Sequence, residues 1–268
     1  MSALNLAWLQ MDIQWQSPLP NLKHVEEILR VNKGLNKTND SAPVFWVLPE
    51  MFSTGFCMDI GKIADNGKTY ATLSELAKKF QIYLLCPIVL QSSTGMGQNV
   101  AIVFNPEGQE ISRYQKIFPF SFAGEDLKYE KGNEISCFEL SGFLVSIFIC
   151  YDLRFPEVFR HAVLKGAKLF IVPSSWPDKR IGHFRHLLVA RAIENQCYVL
   201  GVNRLGKDPK QVYNGQSLLV DPLGKILVDS EDRPGAFFHK ISLDKLQDYR
   251  EKFPAISDIQ PGFLGIDD

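Results

Sequence analysis

The stretch Phe143-Leu144-Val145-Ser146-Ile147-Phe148-Ile149-Cys150-Tyr151-Asp152-Leu153-Arg154-Phe155-Pro156-Glu157 decides how this 268-residue chain is read. Its first seven residues are a nearly unbroken apolar run with β-branched members, the pattern of a strand buried on both faces. After Cys150 the chain turns polar, and from Val158 to Lys165 the apolar spacing is helical. A thiol at such a strand-to-helix elbow is held rigidly, with backbone N–H groups of the turn pointing at it. Free cysteine is also among the most buried residue types, so a packing role competes with a nucleophilic one on position alone.

Two more strand exits shift that balance. Val44-Phe45-Trp46-Val47-Leu48-Pro49-Glu50 is a second apolar strand, and it ends in a carboxylate. Ile111-Ser112-Arg113-Tyr114-Gln115-Lys116 alternates like a strand and ends in an ammonium. Ile117, Phe118, Pro119 and Phe120 follow Lys116, an odd setting for a merely solvated charge. Carboxylate, ammonium and thiol, each at a strand exit, can converge on one sheet edge, where open α/β sheets build their sites.

Leu48-Pro49-Glu50, Tyr114-Gln115-Lys116 and Cys150-Tyr151-Asp152-Leu153-Arg154-Phe155-Pro156-Glu157 resemble the three signature segments of the nitrilase (carbon–nitrogen hydrolase) superfamily, in its order. The separations are similar too: 66 residues from Glu50 to Lys116 and 34 from Lys116 to Cys150. The likeness continues through Ser174-Ser175-Trp176-Pro177, Ala190-Arg191-Ala192-Ile193-Glu194-Asn195-Gln196, Gly201-Val202-Asn203-Arg204, Gly215-Gln216-Ser217 and Asp221-Pro222-Leu223-Gly224. Glu50-Met51-Phe52-Ser53-Thr54-Gly55-Phe56 and the Trp176-Pro177 region look most like the bacterial omega-amidase branch.

That resemblance implies a four-layer α-β-β-α sandwich, a single carbon–nitrogen hydrolase domain over residues 1–268, and a homodimer joined through outer helices. Periodicity alone gives mixed α/β. It marks strands at 4–13, 44–48, 82–90, 100–104, 169–173, 198–203, 217–220, 226–228 and 236–241, with helices at 20–32, 69–80 and 183–196.

Composition fits a globular enzyme: 46% of residues are hydrophobic, 22% charged, and the formal net charge is −1. Without a basic run there is no support for nucleic-acid binding. No segment is long and apolar enough for a membrane span, and the first residues carry no secretory pattern. Five cysteines without CxxC spacing argue against a disulfide framework or zinc site and suit a reducing cytoplasm.

The resemblance assigns the chemistry. Cys150 attacks an amide carbon as a thiolate, favoured by Lys116. Glu50 takes the thiol proton, passes it to departing ammonia and then activates water against the thioester. Lys116 and the backbone N–H of Tyr151 hold the oxyanion. Glu125, in Phe122-Ala123-Gly124-Glu125-Asp126, orients lysine and substrate, although Asp126 beside it competes for that place. No metal or organic cofactor is needed. The implied substrate is a small 2-oxo acid monoamide, 2-oxoglutaramate or 2-oxosuccinamate. Its distal carboxylate calls for a cation, and Arg180 is placed for it. Trp176 and Phe118, the latter alternating with Phe120 and Phe122, are candidate pocket walls. The same trio could instead serve a nitrile, an N-carbamoyl amine or acyl transfer, or the fold could bind without turnover. Asp152 and Arg154 are expected to anchor the elbow.

Overall fold

A computed structural model describes residues 2–34 and 44–265; Met1, 35–43 and 266–268 lie outside the described residues. The framework is two six-stranded sheets. The first has the order β14-β1-β2-β3-β4-β5, with β1 Ala3–Gln10, β2 Val44–Val47, β3 Tyr83–Gln91, β4 Gly97–Phe104, β5 Glu110–Gln115 and β14 Gly235–Ser242. The second has the order β13-β12-β9-β8-β7-β6, with β6 Cys137–Leu140, β7 Phe143–Ile147, β8 Leu169–Ser174, β9 Tyr198–Asn203, β12 Leu218–Val220 and β13 Ile226–Asp229. A two-stranded hairpin, β10 Leu205–Lys207 with β11 Val212–Asn214, stands apart from both.

Strand alternation builds the layers, because successive side chains point to opposite faces. In the first sheet Leu4, Leu6, Trp8, Phe45, Val47, Leu85, Ala101 and Val103 face the second sheet and join its core. The alternate residues Ala7, Leu9, Trp46, Leu84, Cys86, Ile102 and Phe104 pack outward under α1 (Pro18–Val31) and α3 (Lys68–Phe80). The short α2 (Ile60–Ile63) lies between them in the chain. The outer face of the second sheet is covered by α4 (Pro156–Leu164) and α5 (Ile181–Asn195), through Phe159, Ala162, Phe184, Leu188 and Ala192. Gly201 on β9 permits that close approach: a Cβ there would lie 2.4 Å from Leu188 Cδ1. The result is the expected α-β-β-α sandwich.

The periodic segments appear within a few residues of their expected bounds. The apolar run from Phe143 stops pairing at Ile147, and Phe148 and Ile149 continue it as extended, fully buried residues. Cys150–Arg154 form a 3-10 turn before α4, so the elbow is tighter than a direct strand-to-helix step. Not expected from periodicity were β6, β10, β11 and α6 (Leu243–Lys252), in which only Leu243 and Leu246 are buried.

Candidate active site

The elbow forces Cys150 into a left-handed conformation, φ 47°, a region that costs a non-glycine residue stability and recurs at functional positions. Asp152 fixes the turn from beneath. Wholly buried, it accepts hydrogen bonds from the N–H of Ile149 (2.8 Å), the N–H of Phe118 (2.8 Å) and the Tyr114 hydroxyl (2.7 Å). It therefore ties the nucleophile's turn to the segment leaving β5, which carries Lys116. Burial pushes its carboxyl up to about 7 against the pull of Lys116 and these donors. Arg191 supports the turn from α5, donating to Leu153 O (2.8 Å) while paired with Glu194 (2.8 Å).

Glu50 leaves β2 in the same manner. The next residue, Met51, has φ 46°, and its carbonyl accepts from Thr54 N (3.0 Å) and Gly55 N (2.8 Å). This turn points the Glu50 carboxylate inward, where the side chain is fully buried. Lys116 Nζ donates to Glu50 Oε1 (3.0 Å) and to Glu125 Oε1 (3.0 Å) and Oε2 (2.8 Å). The loop after β5 thus buries Glu125 and leaves Asp126 outside. Burial opposes the ammonium form of Lys116, and the charges of Glu125 and Glu50 outweigh it, holding its pKa well above the usual lysine range. Burial, reinforced by Glu50, raises the Glu125 carboxyl above its usual range despite Lys116.

Two groups that the sequence did not single out complete the cluster. Asn99 on β4 donates through Nδ2 to Glu50 Oε1 (2.8 Å) and Glu125 Oε1 (3.1 Å). The backbone N–H of Ser175, at the exit of β8, donates to Glu50 Oε2 (2.9 Å), and Ser175 lines the same cavity as Cys150.

Burial pushes the Cys150 thiol well above its ordinary value, and Glu50 adds to that effect; Lys116 and the Ser175 N–H oppose it without prevailing. Lys116 does favour the anion, as expected, while burial and then Glu50 weigh against it.

Cys150 opens into a cavity of about 320 Å³ lined also by Trp15, Phe56, Phe120, Tyr151, Trp176 and Tyr213. Trp176 is held by Asn203, which accepts from its N–H (2.7 Å) and donates to its carbonyl (3.0 Å). Arg154, Arg180 and Lys210 bring positive charge to the lining, against Asp208. The Arg180 guanidinium lies 5.5 Å from the Phe120 ring centre. Arg154 also faces the cavity rather than serving only as an elbow anchor: it sits 4.9 Å from the Trp176 ring and bonds His183 Nδ1 (3.3 Å). Of the residues read as walls, Phe118 is placed elsewhere. The chain bends after Lys116, and Phe118 stacks on Phe155 at 3.8 Å while Phe120 and Phe122 reach the cavity.

A thiol opening into a cavity, with a buried carboxylate and ammonium in the same part of the fold, is the set of groups that amide hydrolysis through a thioester needs. Residues 5–251 match the carbon-nitrogen hydrolase family, and the chain belongs to it. Among its relatives is the 2-oxoglutaramate amidase of Bacillus subtilis (strain 168), 34% identical over 258 residues, covering 95% of this chain and 97% of that protein. Another is the omega-amidase YafV of Yersinia enterocolitica, 35% identical over 263 residues, covering 96% and 97%. The CN-hydrolase superfamily protein XC1258 from Xanthomonas campestris, solved with an arsenic adduct in its active site, superposes with a TM-score of 0.89 at 30% identity, covering 97% of this chain and 98% of that one.

Proposed function

We propose that this protein is a thiol amidohydrolase that cleaves the terminal amide of a small 2-oxo acid monoamide, 2-oxoglutaramate or 2-oxosuccinamate, releasing ammonia. The observation that carries the reading is the buried cluster of Glu50, Lys116 and Glu125, with Glu50 Oε2 held by the Ser175 N–H, behind a cavity that Cys150 lines. Relatives named 2-oxoglutaramate amidase and omega-amidase, matched over nearly the whole chain, support the substrate class.

In this mechanism the thiol proton passes to Glu50 Oε2 as sulfur attacks the amide carbon. The C–N π-conjugation is lost, and the carbonyl oxygen becomes an oxyanion facing Lys116 Nζ and the Tyr151 N–H. Lys116 can serve it because two of its three bonds go to Glu125, which has other donors in Asn99 and the Phe120 N–H. Glu50 then gives its proton to the nitrogen, the C–N bond breaks and ammonia leaves. Water, deprotonated by Glu50, attacks the thioester; the acid departs and the proton returns to sulfur. Glu50→Gln keeps the volume but removes the base. Turnover should fall by about 10²–10⁴, while binding of 2-oxoglutaramate, followed by calorimetry on a Cys150→Ala background, stays intact.

Recognition of the far end falls to the cationic wall. Among the described residues, Arg154, Arg180 and Lys210 form no ion pair with a carboxylate, so their charge is available to a substrate anion. Arg180→Ala should raise KM for 2-oxoglutaramate roughly tenfold or more, as expected for a charge-assisted bond, and leave KM for an uncharged amide such as butyramide unchanged. Equal effects on both amides would remove Arg180 from substrate binding. The function as a whole is tested by ammonia release from 2-oxoglutaramate beside a nitrile, an N-carbamoyl amine and hydroxylamine as acyl acceptor. Preference for any of the last three would overturn the substrate assignment.

The same reading makes residues 1–268 one domain, acting as a cytoplasmic homodimer. In support, both sheets share one core and, among the described residues, no helix is long and apolar enough to cross a membrane.

A further inference from the structure

Asn99 occupies a position that the proton-transfer scheme does not yet use. Its side chain is 1% exposed and its amide nitrogen lies between the two carboxylates, 2.8 Å from Glu50 Oε1 and 3.1 Å from Glu125 Oε1. The amide can face only one way, since the opposite orientation would set its oxygen against two carboxylate oxygens. Its Oδ1 has no partner among the described side chains and backbone groups, so the two donated bonds alone fix the side chain. Its backbone carbonyl accepts the Lys116 N–H (2.9 Å), which locks β4 to the strand exit carrying the ammonium.

The consequence lies in how the two oxygens of Glu50 are occupied. Oε1 takes two N–H donors, Lys116 and Asn99, and Oε2 takes one, Ser175. A carboxylate oxygen presents about two lone-pair directions, so Oε1 is filled and Oε2 keeps one free. We propose that Asn99 is a positioning residue that makes Glu50 a one-sided base. It saturates Oε1, offsets the repulsion between Glu50 and Glu125, and leaves Oε2 as the only oxygen that exchanges protons with thiol, leaving group and water.

This rests on Glu50 being the base. The titratable groups facing the position are Glu50, Glu125 and Lys116, with Tyr129, Cys150 and Asp152 beyond them. Losing a donor to a carboxylate disfavours its charged form, so the base is silenced at a higher pH. Asn99→Leu, similar in size but without donors, should lower kcat about 10- to 100-fold with KM within about threefold, and should move the acid limb of kcat/KM upward by about one pH unit. Asn99→Asp, which adds a third carboxylate, should be lower still. In the unmodified enzyme, selectively ¹⁵N-labelled asparagine offers a reading that needs no variant: the Asn99 side-chain NH₂ signals should shift with pH along the acid limb of activity. A folded Asn99→Leu enzyme with the native acid limb, or NH₂ signals that ignore that limb, would overturn the proposal. If Glu50→Gln instead retains turnover, the base assignment itself fails. A dead Glu50→Gln with an unchanged Asn99→Leu profile refutes only the role of Asn99.

Discussion

Cys150→Ala should abolish ammonia release, lowering kcat by about six orders of magnitude, the loss typical of removing a covalent nucleophile. The fold should survive, because the elbow is held by Asp152 and Arg191 rather than by sulfur. Cys150→Ser should retain only a trace: a hydroxyl is harder still to deprotonate, and Glu50 must do it. The backbone adds a second signature. Residue 150 sits at φ 47°, where a side chain costs about 1 kcal/mol or more and glycine does not. Cys150→Gly should therefore be as inactive as Cys150→Ala but unfold at higher urea. A Cys150→Ala enzyme that still turns over would end the thioester mechanism, and a glycine variant less stable than the alanine one would remove the strain.

Lys116→Met should destroy activity and much of the stability as well. Methionine fills the space but leaves Glu50 and Glu125 buried with no cation. Breaking one side of a buried ionic cluster costs about 3–5 kcal/mol. The pH dependence follows from the protons. Glu125 already ionises less readily folded than unfolded, and without Lys116 that difference grows. Such a carboxyl binds more protons in the native state, so its contribution is favourable at low pH and is lost as pH rises from the unfolded value through the folded one. The stability gap between wild type and Lys116→Met should therefore be widest near pH 8 and narrow toward pH 5 in urea titrations. A gap independent of pH would mean that the carboxylates had found another partner.

The sequence made the three strand exits legible because each combines a strong apolar run with one incongruous polar residue. Glu50, Lys116 and Cys150 all lie where such a run stops. Glu125 could be chosen over Asp126 only through family likeness, since two adjacent acids in a loop have no periodicity to separate them; the 3-10 turns beyond Phe120 decide it. Asn99 left a fainter trace. It shares strand parity with the inward Ala101 and Val103, but a strand taken to begin at Val100 leaves it outside. The contribution of Ser175 comes from its backbone N–H, which no side-chain pattern can announce. Phe118 misled because alternation was carried past Lys116, where the backbone no longer alternates. The hairpin of β10 and β11 has strands of three residues around Asp208-Pro209-Lys210 and reads as a loop, although Asp208, Lys210 and Tyr213 border the cavity.

β14 pairs along its whole length with β1, from Ala3 opposite Ser242 to Gln10 opposite Gly235, and Trp8 stacks on Phe237. β1 thus waits for a strand made far later than itself before this edge is covered. Until then β1 offers unpaired N–H and C=O groups to any passing strand. Completion of the sheet that carries Glu50 and Lys116 comes only after the Cys150 elbow has been made, so a growing chain can display that elbow well before it owns a finished catalytic apparatus.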